Sequence, residues 1–184
     1  LLSDEIIDFV STSRHFAPHF HIPLQSGSNE ILQLMHRRYT RELFEERVEH
    51  IKNIMPQAFI GVDVMVGVRG ETDELFEDAY KFIESLNVSQ LHVFTYSERA
   101  NTRMLSMPLY VVPKKTRKER SERMHLLSEK KLAAFTESRH GKTATVLWEG
   151  KKTDGMMSGF TENYLRISAP YNSKKINTFE QVYC

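Results

Sequence analysis

The chain has 184 residues, 40% hydrophobic and 27% charged, with a formal net charge of +1, which places it among globular proteins of one or two domains. No apolar stretch approaches the ~20 residues of a membrane span and no signal-peptide pattern opens the chain, so no membrane is expected as a partner and a cytoplasmic location is expected. The one cysteine, Cys184, is the last residue, which excludes an internal disulfide and a multi-cysteine metal site.

In chain order, a short helix is expected after Ser3, then a strand over 19–25 (HFHIPLQ) and a second short helix after Ser28. Thr40 opens a longer helix with Phe44, Val48, Ile51 and Met55 on one stripe. A strand over 58–66 (AFIGVDVMV) follows, and then a helix begun by Thr72, Asp73 and Glu74 whose apolar stripe reads Leu75, Ala79, Phe82 and Leu86. After a strand over 90–96 (QLHVFTY), a charged helix runs from Lys114 to His140 and stops at Gly141. Beyond it TATVLWE, GMMSGFTENYLRIS and NTFEQVYC have the texture of short strands with Gly and Asn turns, a separate small all-β unit. Strand and helix alternate up to residue 112, which argues for an α/β fold with parallel pairing and helical crossovers. Three strands are few for such a unit. Together with the start at Leu1 and the strand-like FEQVYC end, this suggests part of a longer protein with strands upstream. The first strand is then expected to show a bare edge, which invites self-association.

The net charge hides a split. Residues 1–112 hold 10 Lys and Arg against 16 Asp and Glu, whereas residues 113–152 hold 12 against 5. That basic block is either a solvated helix face or a phosphate-facing surface.

Side chains alternate across a strand, so the aliphatic faces, with Ile60, Val62, Val64 and Val66 on the second strand, must meet the helices. The opposite faces carry His19, His21, Gln25, Asp63, His92 and Tyr96, and polar groups there need partners or a ligand. In parallel α/β sheets ligands sit beyond the carboxyl ends of the strands, here QSGS, VGVRGET and YSERANT, with Gly67 and Gly70 shaping the middle loop. Two other readings stay open. His19 and His21 form an H-x-H on one strand, near Asp63 and His92 of the inward faces, as in a metal-dependent barrel hydrolase. A stand-alone RNA-binding protein would explain the charge split.

Taken together, HIPLQSGSNEILQLMHRRYT, DVMVGVRGET and HVFTYSERANT resemble the second half of the radical S-adenosylmethionine methylthiotransferases. LHVF before YS, the helix KKTRKERSERMHLLSEKKLAAF and SGFTENYLRI look most like the branch that modifies tRNA threonylcarbamoyladenosine. The resemblance implies a radical SAM reaction. A 4Fe-4S cluster reduces S-adenosylmethionine, a deoxyadenosyl radical abstracts hydrogen from an adenine carbon, and a methylthio group is inserted with the help of a second 4Fe-4S cluster. The cluster cysteines of that family lie in parts not present here. No catalytic residue and no cluster is therefore expected in this chain, which should be inert by itself.

The same resemblance places Gln25 and Ser26 near the ribose or methionine of S-adenosylmethionine. It places Asp63, Val66 and Gly67 along the adenine, and Phe94 and Tyr96 at the far wall. It divides the chain into the C-terminal half of a radical SAM partial TIM-type barrel (1–112), a basic connecting helix (113–140) and a shortened TRAM-like RNA-binding barrel (141–184). The tRNA contacts implied are Lys114, Lys115, Arg117 and Lys118 on the helix, and Lys142, Lys151, Lys152, Tyr164 and Arg166 on the β unit. Trp148 reads as a core anchor rather than a base-stacking platform. The family usually has Pro where Arg69 stands and Gly where Asn101 stands.

Overall fold

The computed structural model describes residues 2–184; the side chain of Lys152 lies outside the described residues. Helix α1 (Asp4–Thr12) carries Asp4 and Glu5 in its first turn, at the positive end of its dipole. Strand β1 (His19–Gln25) leads into α2 (Asn29–Leu34), capped by Ser28. Helix α3 (Arg41–Ile54), strand β2 (Phe59–Val66), α4 (Asp73–Ser85) and β3 (Gln90–Thr95) follow. The hydroxyls of Thr40 and Thr72 accept from the amides of Leu43 and Leu75, so both caps read from the sequence are made. A short α5 (Arg103–Ser106) and the 25-residue α6 (Lys114–Ser138) complete this part. Gly141, with φ +72°, lets the chain turn away after α6.

Strands β1, β2 and β3 pair parallel in that order, with Ile22 opposite Val62 and Val62 opposite Leu91. One face of this sheet, with Phe20, Leu24, Ile60, Val62, Val64, Val66 and Leu91, is buried under α1, α3, α4 and α6. Each such side chain stabilises the fold by about 1.5–3 kcal/mol. On α3 the buried seam includes Phe44, Val48 and Ile51, as the spacing predicts. On α4 the seam is rotated by one residue: Phe76, Ala79 and Ile83 are buried, and Leu75 and Phe82 lie half-buried at its flanks. Helix α6 is no free connector. Met124 and Leu127 enter the same core, and the Ser128 hydroxyl donates to the Leu91 carbonyl.

The edge of β1 is partly closed. The Tyr39 hydroxyl lies 3.0 and 2.9 Å from the carbonyl oxygens of Pro23 and Leu24 and donates there, so the expected bare edge does not extend to the carboxyl end of the strand.

The remaining strands, β4 (Thr143–Thr153), β5 (Met156–Thr161), β6 (Arg166–Pro170) and β7 (Phe179–Tyr183), form an antiparallel sheet in the order β6-β5-β4-β7. Trp148 is its buried centre beside Val146 and Met157, and its indole N–H donates to Glu180 at 2.7 Å. A turn at 162–165 splits the run GMMSGFTENYLRIS into β5 and β6. There Tyr164 takes φ +67°, and the Thr161 hydroxyl accepts from the Leu165 amide.

Candidate ligand site at the carboxyl ends of the parallel strands

The face of the parallel sheet opposite the helices carries a row of polar side chains. His21 Nε2–H donates to Asp63 Oδ1 at 2.6 Å, and the His92 ring stacks on His21 with centroids 4.6 Å apart. The row is built by alternation and register: Asp63 stands opposite both Pro23 and His92. His19, at the amino end of β1, stacks instead on Tyr164 at 4.3 Å. Burial, followed by the proximity of His21 and His92, lowers its pKa. Among the described residues no group of three or more His, Cys, Asp or Glu side chains could hold a metal ion, so the metal-hydrolase reading loses its ligand set.

Two residues beyond that row, at the carboxyl end of the sheet, Met65, Phe94, Tyr96, Arg99, Thr102 and Met104 line a cavity of about 400 Å³. A larger hollow of about 640 Å³ lies along β1 and is lined chiefly by apolar groups such as Leu2, Ile6, Phe20, Ile22 and Leu43. It sits at a sheet edge rather than at the strand ends where α/β sheets bind ligands. The smaller cavity has chiefly apolar walls. The Tyr96 hydroxyl has no hydrogen-bond partner among the described residues, but it is sealed from solvent and so does not open on the cavity, where the residue contributes its ring.

The expected cofactor residues are not all gathered there. Phe94 and Tyr96 line the cavity, and Asp63 is one alternate residue below Met65 on the same face. Val66 points the other way. It lies on the aliphatic face and is fully packed in the core, so its side chain cannot meet a ligand in the cavity, and its carbonyl already accepts from the Tyr96 amide at 2.9 Å. Gln25 ends β1 with φ +72° at a register shift, and Ser26 is buried with its hydroxyl accepting from the Ser28 amide. Met65 stands on the inward face that alternation gives it with Asp63, and it lines the cavity although the resemblance assigns it no role.

The loop after β2 is held from behind. Gly67, at φ +76°, could carry no side chain, since a Cβ would collide with Cγ of Arg117. Its amide donates to both carboxylate oxygens of buried Glu71, at 3.0 and 3.2 Å. Burial raises the Glu71 pKa against the pull of the Gly67 amide and Arg120. Arg120, only 3% exposed, donates to Glu71 Oε1 and to the Glu71 carbonyl, and its other nitrogen reaches Asp73. Arg69 is placed by its contacts. It forks onto Glu98 at 3.0 and 2.8 Å, and this hydrogen bonding lowers the Glu98 pKa.

The basic block separates into two populations. Lys114, Lys115 and Lys118 are exposed, the last two facing Glu119 and Glu122 one turn on. Arg117 is not available to an RNA. It is 7% exposed, and its guanidinium donates to the carbonyls of Val112 and Tyr96 and lies over the Tyr96 ring. On the β unit, Lys142, Lys151 and Arg166 are exposed, and Arg166 also donates to the Ser158 hydroxyl. Tyr164 keeps about half its surface exposed but stacks on His19 and Phe160. Lys152 lies outside the described side chains.

A parallel sheet with a ligand-sized cavity at its carboxyl ends defines a class, and residues 1–83 match the family model described as the Radical SAM superfamily. The chain is 35% identical over 183 residues to the tRNA-2-methylthio-N(6)-dimethylallyladenosine synthase of Desulfitobacterium hafniense, covering 98% of this chain and 41% of that protein. It is 38% identical to the threonylcarbamoyladenosine tRNA methylthiotransferase MtaB of Aquifex aeolicus, over 90% of this chain and 39% of the relative, and 35% identical to that of Bacillus subtilis, over 90% and 38%. The chain is thus a homologue of the radical SAM tRNA methylthiotransferases, and it spans about two fifths of the length of these relatives.

Proposed function

We propose that this chain is part of a radical SAM tRNA methylthiotransferase, in which residues 1–112 supply one wall of an S-adenosylmethionine site and residues 141–184 a TRAM-like, RNA-facing unit. The observation that carries the reading is the cavity at the carboxyl ends of β2 and β3, with walls that include Met65, Phe94 and Tyr96. Phe94, Met65 and Tyr96 would hold the adenosyl group, with Asp63 and the Gly67 loop beside it. The chemistry of such a site, reductive cleavage of S-adenosylmethionine and methylthio transfer, belongs to the cofactors; the protein binds and orients them.

Titration of S-adenosylhomocysteine into the chain tests the site. Tyr96→Ala, which removes the ring from the cavity wall, is expected to weaken binding about tenfold. Equal affinity would sink the assignment. For RNA, the exposed Lys114, Lys115 and Lys118 are the cations that remain for phosphate contact on α6. Reversing their charge is expected to lower tRNA affinity and flatten its salt dependence for every sequence tried.

The relatives act on two different modified adenosines, and overall identity does not separate them. The LHVF and SGFTENYLRI segments favour threonylcarbamoyladenosine as the substrate. Nucleoside mass spectrometry of tRNA from cells lacking the gene decides it: loss of the methylthio group from threonylcarbamoyladenosine supports this reading, and loss from dimethylallyladenosine replaces it.

A further inference from the structure

We propose that Arg117 and Arg120 of α6 are positioning residues that fix the two loops at the carboxyl ends of β2 and β3, beside the proposed cofactor cavity. The inference rests on the reading of that cavity as an S-adenosylmethionine site. The buried seam of α6 reads Arg117, Arg120, Met124, Leu127, Ser128 and Phe135. It is apolar where the helix crosses the sheet and cationic where it passes behind the strand ends. A seam needed only for stability would do as well or better with apolar residues, because replacing a buried ion pair by hydrophobic groups is often neutral or stabilising. What a guanidinium adds is direction.

Each arginine fixes a different loop. Arg120 Nη1 lies 2.6 Å from Glu71 Oε1 and 3.0 Å from the Glu71 carbonyl, while Nη2 lies 2.6 Å from Asp73 Oδ1. The Glu71 carboxylate in turn receives the Gly67 amide, so the position of Gly67 is referred to α6 through one carboxylate. Arg117 donates to the Tyr96 carbonyl at 3.1 Å, lies 5.2 Å from the centre of the Tyr96 ring, and pairs with Glu98 at 3.6 Å. Glu98 also takes the Arg69 fork from the Gly67 loop, which ties the two loops to each other. The groups held in this way are Tyr96, which lines the cavity, and Gly67, which directly follows β2 two residues beyond the lining Met65. Supporting contacts of this kind set how closely a site keeps its productive geometry.

The test uses the whole chain with Arg120→Lys and Arg117→Lys, which keep the charge and lose the fork. Amide exchange is followed at Gly67 and Tyr96, with Val62 in the central strand as reference, and S-adenosylhomocysteine affinity is measured by calorimetry. Arg120→Lys is expected to speed exchange at Gly67, and Arg117→Lys at Tyr96, about tenfold with Val62 unchanged, and each to weaken affinity about fivefold. The inference is overturned if Gly67 or Tyr96 accelerates only together with Val62, if neither moves, or if the loops loosen while affinity holds. Phe94→Ala, an exposed wall residue, separates the two readings. If wild-type chain does not bind the probe, or Phe94→Ala binds it equally well, the cofactor reading fails, and exchange alone then decides whether the arginines hold the loops.

Discussion

The two ends of the parallel sheet are fastened to the rest of the molecule by opposite kinds of chemistry. At the carboxyl ends, charged side chains with defined directions tie the loops to α6: Glu71 with Arg120, and Glu98 with Arg69 and Arg117. At the amino ends, Phe59, Phe135 and Leu165 close an apolar joint between β2, α6 and the antiparallel unit, and the rings of His19, Tyr164 and Phe160 are stacked alongside. Asn163 adds one hydrogen bond, to the Gln57 carbonyl at 3.3 Å. An apolar joint gives strength without fixing orientation closely, whereas ion pairs and forked hydrogen bonds fix orientation at a desolvation cost. The costly fastening is at the end where a ligand would be held.

That contrast can be broken first at the joint. Phe59→Ala should destabilise the protein by about 3–5 kcal/mol, the usual range for a buried aromatic, and should separate two unfolding transitions. Trp148, the single tryptophan, reports the antiparallel unit by fluorescence, and far-ultraviolet circular dichroism weights the helices. Coincident transitions in the variant would mean that the two parts stay coupled without Phe59. At the other end, Arg120→Met should cost about 3 kcal/mol in a denaturant titration, near the low limit for breaking a buried pair. The raised pKa of Glu71 explains the low value, because the abandoned carboxyl can take a proton instead of remaining as a buried charge. Glu71→Gln combined with Arg120→Met should recover much of that loss; an additive double variant would show that the two residues do not act on each other.

Smaller effects sharpen the comparison. Tyr164→Ala should cost about 1 kcal/mol of ring stacking beyond its buried area, without moving S-adenosylhomocysteine affinity. A change in affinity would place Tyr164 in communication with the cavity. Near the joint, Lys52 donates to the Ala58 carbonyl, and burial depresses its pKa to about 8. Lys131, farther along α6, is depressed to about 8 for the same reason while it donates to the carbonyls of Glu84 and Leu86. Between pH 8 and the ordinary lysine value the unfolded chain holds protons that the folded chain has released, so stability should rise with pH across that window. Lys52→Met should reduce the rise, and thermal melts from pH 7.5 to 10.5 would read it.

Much of this was legible from local patterns. The caps at Ser28, Thr40 and Thr72, the parallel strands, the aliphatic faces and the core role of Trp148 follow from period, alternation and residue size, each acting over a few neighbours. The seam of α4 was misplaced by one residue, since Leu75, Phe76, Ala79, Phe82, Ile83 and Leu86 offer two overlapping stripes. Val66 differs for another reason: alternation places it on the helix side, where it is buried, and only the family resemblance set it beside the adenine.

By itself the sequence determined most of the elements and their order, and its motifs pointed to a family resemblance, because these depend on residues close together in the chain. Which charges are buried was decided only by the tertiary structure. Arg117 and Arg120 look like any cations on a solvated helix until Glu98 and Glu71 are brought up from 19 and 49 positions away in the chain. The same holds for Tyr164, whose stacking on His19 depends on the turn between β5 and β6 lying against β1. Packing of distant segments removes water from some polar groups and leaves it on others, and that selection cannot be read from local spacing.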